Sequence, residues 1–362
     1  MPTIQKIKDR ELLLKKLSYM PWYVDKFINF KLPDLSPSSL LEYIYDYETF
    51  FNYLLAEGLT PAGPISQIPL ETLEKLSLDS ILGYRFHLLT KAGNSRTTVS
   101  RKLSSLRTLF NYLNQKAEDE NFNPLLIRNV MAKVDIRKKK KSKDTAASSL
   151  AGKLLQDNEI TEFVEYIIKG YEKDIAGRNR ALLSYKFNRV RDACIVSLIL
   201  NSGIRVSETV NLDVDDIDLM NKSVYVYRKG ADDQTKSQVH FREEAIPFIK
   251  EYILIRDEHY KSPKKEKALF LTIPNGQIYG SRMTKRAIQN MIIKYAEGFG
   301  KPFLTVHKLR HSFATDYYLA NDLYKTQTQL GHSSPETTQI YAHLTDKTMS
   351  EAIDKRKSSH SQ

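Results

Sequence analysis

Residues 305–343 read TVHKLRHSFATDYYLANDLYKTQTQLGHSSPETTQIYAH. Thr305 is suited to cap a helix that opens at His307, and the i, i+3 spacing sets His307 and Arg310 on one face of it. A proton carrier and a permanent cation then stand near one point. Leu323 to Leu330 makes a second helical segment, and Gly331 marks its end. His332 follows at a turn, and Tyr341 comes nine residues later. Taken singly, a helix-end histidine, a surface arginine and one tyrosine among 21 are ordinary surface features.

Upstream, Ala193 to Leu200 is an apolar run that ends in Asn-Ser-Gly-Ile-Arg-Val-Ser-Glu, residues 201–208. Gly203 is placed to stop that helix, and Arg205 to project at the start of the next. A guanidinium beside helix N–H groups suits an anion. Glu208, three residues on, lies on the same helical face and is positioned to hold Arg205. A strand pair follows, Ser223–Arg228 and Ser237–Phe241, and its loop carries Lys229 and Gly230. Helical patterns over 159–169, 189–201 and 243–259, with a short strand at 268–272, make this half mainly α with a small antiparallel sheet.

Together, two arginines, a lysine, two histidines and a tyrosine meet the needs of one reaction, attack of a phenol on a phosphodiester. Negative charge grows on the non-bridging oxygens, and paired guanidiniums clamp it. A phenol of ordinary pKa about 10 needs help from a base or cations. The departing 5′ oxygen needs a proton, which a hairpin lysine can supply. Arginines can perform the charge neutralisation that metals perform in many nucleases, so the chemistry requires no metal and no other cofactor. Nor does it require ATP, and no GxxxxGK[ST] loop is present.

The first 135 residues read differently. Residues 38–57 repeat Leu40, Tyr43, Ile44, Tyr47, Phe50, Phe51 and Leu54 at helical spacing, with Ser38 or Ser39 as the N-cap and Gly58 as the stop. From Thr97 to about Lys116, Val99, Leu103, Leu106, Phe110 and Leu113 form a stripe, and Arg101, Lys102 and Arg107 stand off it. No strand is predicted before residue 135, so this region reads as a helical bundle with basic faces. Arg137-Lys138-Lys139-Lys140-Lys141-Ser142-Lys143 then sets six cations in seven residues, ahead of DTAASSLAGK. Such a run cannot bury itself, and it reads as a solvated hinge, as a strap along a phosphate backbone, or as both. The boundaries are therefore 1–135 for a helical domain, 136–153 for a basic linker and 154–362 for the mixed α/β domain.

Composition agrees. The 362 residues hold 55 Lys plus Arg against 43 Asp plus Glu, a formal +12, which suits a polyanionic partner. The N-terminus lacks a signal-peptide layout, and the longest apolar run is too short for a bilayer, so a cytoplasmic location is expected. The single cysteine, Cys194, lies inside the apolar run and reads as core.

The blocks NSGIRVSE, HKLRHSFAT and LGHSSPETTQIYAH, in this order over 190–345, resemble those of the tyrosine recombinases (phage integrase family). The resemblance implies a helical core-binding (SAM-like) domain that binds DNA, and a catalytic domain of the DNA breaking-rejoining fold. It implies that Arg205 and Arg310 clamp the scissile phosphate and that Lys229 is the general acid. His307 and His332 would move protons and bind the phosphate, Tyr341 would be the nucleophile and Glu208 would support the site. Arg101, Lys102, Arg107 and Arg137 to Lys141 are the candidate DNA contacts. The loop Lys229-Gly-Ala-Asp-Asp-Gln-Thr-Lys236 is longer and more acidic than the family's usual turn, which makes Lys236 a rival for the acid. His311 and His343 fall inside the motifs without an assigned chemistry and read as packing or support.

Met20-Pro21-Trp22-Tyr23-Val24, Phe50-Phe51-Asn52-Tyr53-Leu54 and Arg128-Asn129-Val130-Met131 are similar to the Xer branch of the family. That likeness implies chromosome-dimer resolution at a dif-like inverted repeat during cell division, by a homotetramer activated by the translocase FtsK. It also implies a helical tail, about 346–357, docking in a neighbouring protomer. The alternatives are an integrase of a phage or conjugative element, with no arm-binding domain evident before residue 20, and a non-catalytic DNA-binding protein of the same fold.

Overall fold

The computed structural model describes residues 4–136, 150, 152–156, 158–228, 235–332, 334 and 338–342. It divides into two compact units, Met1–Lys140 and Lys141–Gln362, and the division falls within the lysine run. Residues 137–149, Lys229, His343 and the tail expected to be helical lie outside the described residues.

The first unit is built from α1 (Ile4–Leu17), α2 (Trp22–Lys31), α3 (Pro37–Ala56), α4 (Leu70–Lys75), α5 (Leu78–Thr90) and α6 (Arg96–Gln115). The N-cap of α3 is Ser36, not Ser38 or Ser39. Its hydroxyl accepts from the Ser39 N–H, and Pro37 occupies the first turn, where no N–H is needed. Ser95 caps α6 in the same way. Helices α2, α3, α5 and α6 bury Phe27, Tyr47, Phe50, Phe51, Tyr84 and Phe110 completely. Their rings meet largely edge to face, Phe27 on Tyr47 at 6.0 Å and Phe50 on Tyr84 at 5.1 Å. Trp22 is not part of this core: it is half exposed, while Tyr23 beside it is buried. The described residues of this unit hold no strand, only an isolated bridge between Glu118 and Pro124.

The second unit holds α7 (Glu159–Glu165), a π-helical turn (Tyr166–Gly170), α8 (Tyr171–Asp174) and the long α9 (Asn179–Ser202). Every residue from Arg191 to Ser202 is buried. A helix apolar on all sides belongs at the centre of a core, and α9 packs there against later helices of the unit. Cys194 is fully buried, and desolvation pushes its thiol pKa up, as suits a core residue.

After α10 (Val206–Val210) come β1 (Ile217–Asp218), β2 (Ser223–Val226) and β3 (Ser237–His240), antiparallel in that order. Val224 pairs with Ile217 on one side and Val239 on the other. Then come α11 (Ile246–His259), the short pair β4 (Leu271–Thr272) and β5 (Ser281–Arg282), α12 (Lys285–Gly298), α13 (Val306–Ala320) and α14 (Leu323–Leu330). Residues 338–342 are again helical.

Candidate active site

Two left-handed glycines organise the site. Gly203 (φ +69°) ends α9 and Gly331 (φ +61°) ends α14. A helix that stops this way leaves carbonyls without helical partners, and those oxygens lie at the negative end of the helix dipole. The structure fills them with guanidiniums. Arg310, in the first turns of α13, donates to the carbonyls of Gly203 and Leu330 and is buried. Arg205 donates to the Gly331 carbonyl at 2.9 Å. Arg228, at the foot of the hairpin, donates to the carbonyls of Gln329 at 2.6 Å and Leu330 at 3.1 Å.

Glu208 holds this group from the other side. Its side chain is 1% exposed and takes the Arg205 backbone N–H at 2.8 Å and guanidinium at 2.9 Å. It also lies 3.5 Å from Arg228. One carboxylate is thus shared by two guanidiniums, while the third, Arg310, rests on carbonyls. The surplus cationic charge is what an anion would neutralise. Burial and Arg205 draw the Arg310 pKa down to about 10, which leaves it a cation at neutral pH.

Tyr341 lies beside these arginines with 1% of its surface exposed. Burial pushes its pKa up to about 12, against the pull of Arg310 and Arg205. Its hydroxyl is 2.8 Å from Nδ1 of His311, one turn beyond His307 on α13. His307 is exposed and meets His311 edge to face at 4.4 Å. His332 lies nearly parallel to the Tyr341 ring, 15° between planes and 6.4 Å between centroids. Its Nδ1 is 2.9 Å from Oγ1 of Thr338, a buried threonine. Desolvation and the neighbouring cations draw the pKa values of all three histidines down, His332 to about 4 and His311 to about 3.

Arg205, Glu208, His307, Arg310, His332 and Tyr341 are therefore gathered into one constellation. Lys229 lies outside the described residues. Lys236 is bound to Asp216 at 2.5 Å and rests over the Tyr227 ring, 5.0 Å from its centroid. Two members of the site carry no clear mark in the sequence. Arg228 gives no signal, since an arginine before a turn is normally solvated. His311 stands next to Arg310, and its i+4 spacing from His307 is the available hint, but a partner thirty residues away appears only on folding.

In the first unit, Arg101 and Lys102 do not stand free as the α6 stripe suggests. Arg101 makes a two-pronged contact with Asp46 at 2.6 and 2.9 Å, and Lys102 reaches the same carboxylate at 3.2 Å. Asp46 is 1% exposed, so these pairs neutralise a buried charge on α3. The Arg101 side chain keeps 48% exposure, against 12% for Lys102. Arg107 donates to the Val134 carbonyl. None of the described helices is long and apolar enough to cross a membrane.

Residues 173–348 match the Phage integrase family. The chain is similar to tyrosine recombinase XerS of Streptococcus sanguinis (strain SK36), 38% identical over 368 residues, covering 96% of this chain and 99% of that one. XerS of Streptococcus mutans serotype c is 39% identical with the same coverage. Among solved structures, the XerH site-specific recombinase bound to a palindromic difH substrate matches with a TM-score of 0.62 at 21% identity, over 91% of this chain and 83% of that one. The Tn1549 transposon integrase with circular-intermediate DNA matches with a TM-score of 0.57 at 17% identity, over 89% and 95%. At these identities the structural matches speak for the fold.

Proposed function

Since the chain belongs to the tyrosine recombinase (phage integrase) family and is a site-specific DNA recombinase, we propose that Tyr341 is its nucleophile and that it resolves chromosome dimers at a dif-like site. The Tyr341 hydroxyl attacks the scissile phosphorus, the bond to the 5′ oxygen breaks, and a 3′-phosphotyrosyl link keeps the strand. Arg205 and Arg310 bind the non-bridging oxygens, where charge accumulates. His307 and His332 hydrogen-bond the same phosphate and move the protons of the reaction, the phenolic proton of Tyr341 among them. Lys229 protonates the leaving 5′ oxygen; the capture of Lys236 by Asp216 supports Lys229 over its rival. A 5′ hydroxyl from the partner duplex then reverses the chemistry and joins the exchanged strands.

The observation that carries this reading is the excess of guanidiniums over carboxylate beside a buried tyrosine. The units divide the work. The first binds duplex DNA, with Arg101, Lys102, Arg107 and the run Arg137 to Lys141 as phosphate contacts, and the second performs strand transfer. Recombination is carried out by a homotetramer on two paired inverted-repeat sites, in the cytoplasm, with FtsK as activator. Matching of XerS over nearly the full length of both chains favours this over a mobile-element integrase.

A nicked suicide substrate tests the chemistry. Wild-type protein should form a covalent adduct and Tyr341→Phe none; an adduct with the variant, or none with wild type, refutes the assignment. Deleting the gene should leave unresolved chromosome dimers, and normal segregation would remove the cellular role.

A further inference from the structure

Lys229 and the arginine clamp come from separate stretches of the chain, and a general acid works only at a fixed distance from the bond it serves. We propose that Arg228 is a positioning residue that ties the foot of the β2–β3 hairpin to the Gly331 turn, and so sets where Lys229, the next residue in the chain, delivers its proton. The inference rests on Lys229 being the general acid and adds what holds that acid to the site.

Three observations carry it. Arg228 lies two residues beyond β2, where a hairpin arginine ordinarily stands in water, yet its side chain is 11% exposed. Its guanidinium donates to the carbonyls of Gln329 at 2.6 Å and Leu330 at 3.1 Å, at the C-terminal end of α14, and lies 3.5 Å from Glu208 on α10. A buried guanidinium is tolerated only where its N–H groups find such acceptors, so this arm of the hairpin is held by two other elements. Second, the side chain lies across Gly331, where a β-carbon would stand 2.9 Å from its Nε and Cζ and 3.0 Å from its Cδ. Arg205 holds the carbonyl of the same glycine at 2.9 Å, so Gly331 joins the clamp to the hairpin. Finally, the returning arm has its own anchor, Lys236 on Asp216 at 2.5 Å. The bonds of Arg228 therefore serve the arm that leads into Lys229.

The step concerned is the break between phosphorus and the 5′ oxygen. As the Tyr341 oxygen bonds to phosphorus, that bond's electron pair goes to the leaving oxygen, which takes a proton from the Lys229 ammonium. On rejoining, the 5′ hydroxyl returns the proton to the amine. A lysine carries its charge on a flexible four-carbon stem, so the backbone at its root is the part that the fold can fix. Proton transfer needs donor and acceptor within roughly 2.6–3.2 Å, and a misplacement of about 1 Å can cost on the order of 100-fold in rate. Arg228 acts on the reaction through Lys229 and is assigned no reacting atom of its own.

The test uses the full-length protein and two nicked suicide substrates of one sequence, with oxygen or sulfur bridging the scissile phosphate to the 5′ carbon. Sulfur leaves as a thiolate, which needs no proton, so a defect in acid delivery disappears on that substrate while a defect in folding or in the clamp persists. Arg228→Ala should form adduct about 100-fold more slowly than wild type with oxygen, and within about threefold of wild type with sulfur. Arg228→Lys keeps a cation for Glu208 but cannot span both α14 carbonyls. It should show a smaller loss with oxygen, likewise restored by sulfur, and it decides the matter if Arg228→Ala does not fold. Wild-type rates with oxygen for both variants would overturn the proposal, as would equal slowing of Arg228→Lys on both substrates. Lys229→Ala, run alongside, separates the two levels. If sulfur does not restore Lys229→Ala, the acid assignment itself falls; if sulfur restores it but not the Arg228 variants, only the positioning role does.

Discussion

Gly203→Ala should destabilise the second unit by about 2–5 kcal/mol. Gly203 has φ +69°, a left-handed conformation in which an L side chain meets its own backbone, at roughly 1–2 kcal/mol. A methyl group there would also lie 2.4 Å and 2.7 Å from two carbons of the Phe313 ring and 2.9 Å from a methyl of Leu330. Neither neighbour can swing away cheaply. Phe313 is 1% exposed, stacks on Tyr317 and lies under Arg242; Leu330 is fully buried. Forcing a methyl into such packing costs about 1–3 kcal/mol more. Gly300 supplies the control, with φ +77° and open space for 4 Å around the point an alanine methyl would occupy, so Gly300→Ala should show the backbone cost alone. Urea unfolding followed by circular dichroism compares the two variants. Trp22, the single tryptophan, lies in the other unit, and its fluorescence serves as an internal reference. Because the Gly203 and Leu330 carbonyls both hold Arg310, DNA cleavage by Gly203→Ala should fall as well. Losses for the two variants equal within about 0.5 kcal/mol would refute the argument from packing.

Glu208→Gln keeps the side-chain volume but leaves Arg205 and Arg228 without their counter-charge, and should cost on the order of 3 kcal/mol. An unfolding midpoint equal to wild type at pH 7 would contradict this. His311 and His332 are held near 3 and 4 in the folded protein, below the ordinary 6.5. Below pH 6.5 the unfolded chain therefore takes up protons that the folded one refuses. Stability should fall between pH 6.5 and about 4, by on the order of 1 kcal/mol per histidine per pH unit, and should not respond to these groups above that window. Urea midpoints level from pH 7 to pH 5 would count against it. If the lysine run contacts phosphates, replacing Lys138 to Lys141 by alanine should flatten the log–log salt dependence of duplex binding by about 3 to 4. An unchanged slope would make the run a plain hinge.

Arg205 is legible in the chain because its setting at a helix start is local. A glycine that must stop a helix, an arginine two residues later and a glutamate at i+3 need nothing from the rest of the molecule. The α3 and α6 stripes are legible for the same reason, since helical spacing of aromatic and aliphatic residues has one economical burial. Caps are harder. Ser36, Ser38 and Ser39 offer equal chemistry, and only the position of Pro37 in the first turn decides among them. The basic residues of α6 read as free because Asp46, their partner, lies 55 residues away from Arg101 on another helix.

By itself, then, the sequence determined the residue types and spacings for phosphoryl transfer to a phenol, a helical first unit, and a second unit with a small antiparallel sheet. It could not say that the two arginines and Arg228 would be anchored on the open carbonyl ends of α9 and α14. It could not show which of four histidines in the motifs would meet Tyr341. Those facts depend on where α13, α14 and residues 338–342 come to rest against one another. Contacts between segments far apart in the chain are fixed by packing of the whole unit, and the local patterns of residues do not carry that information.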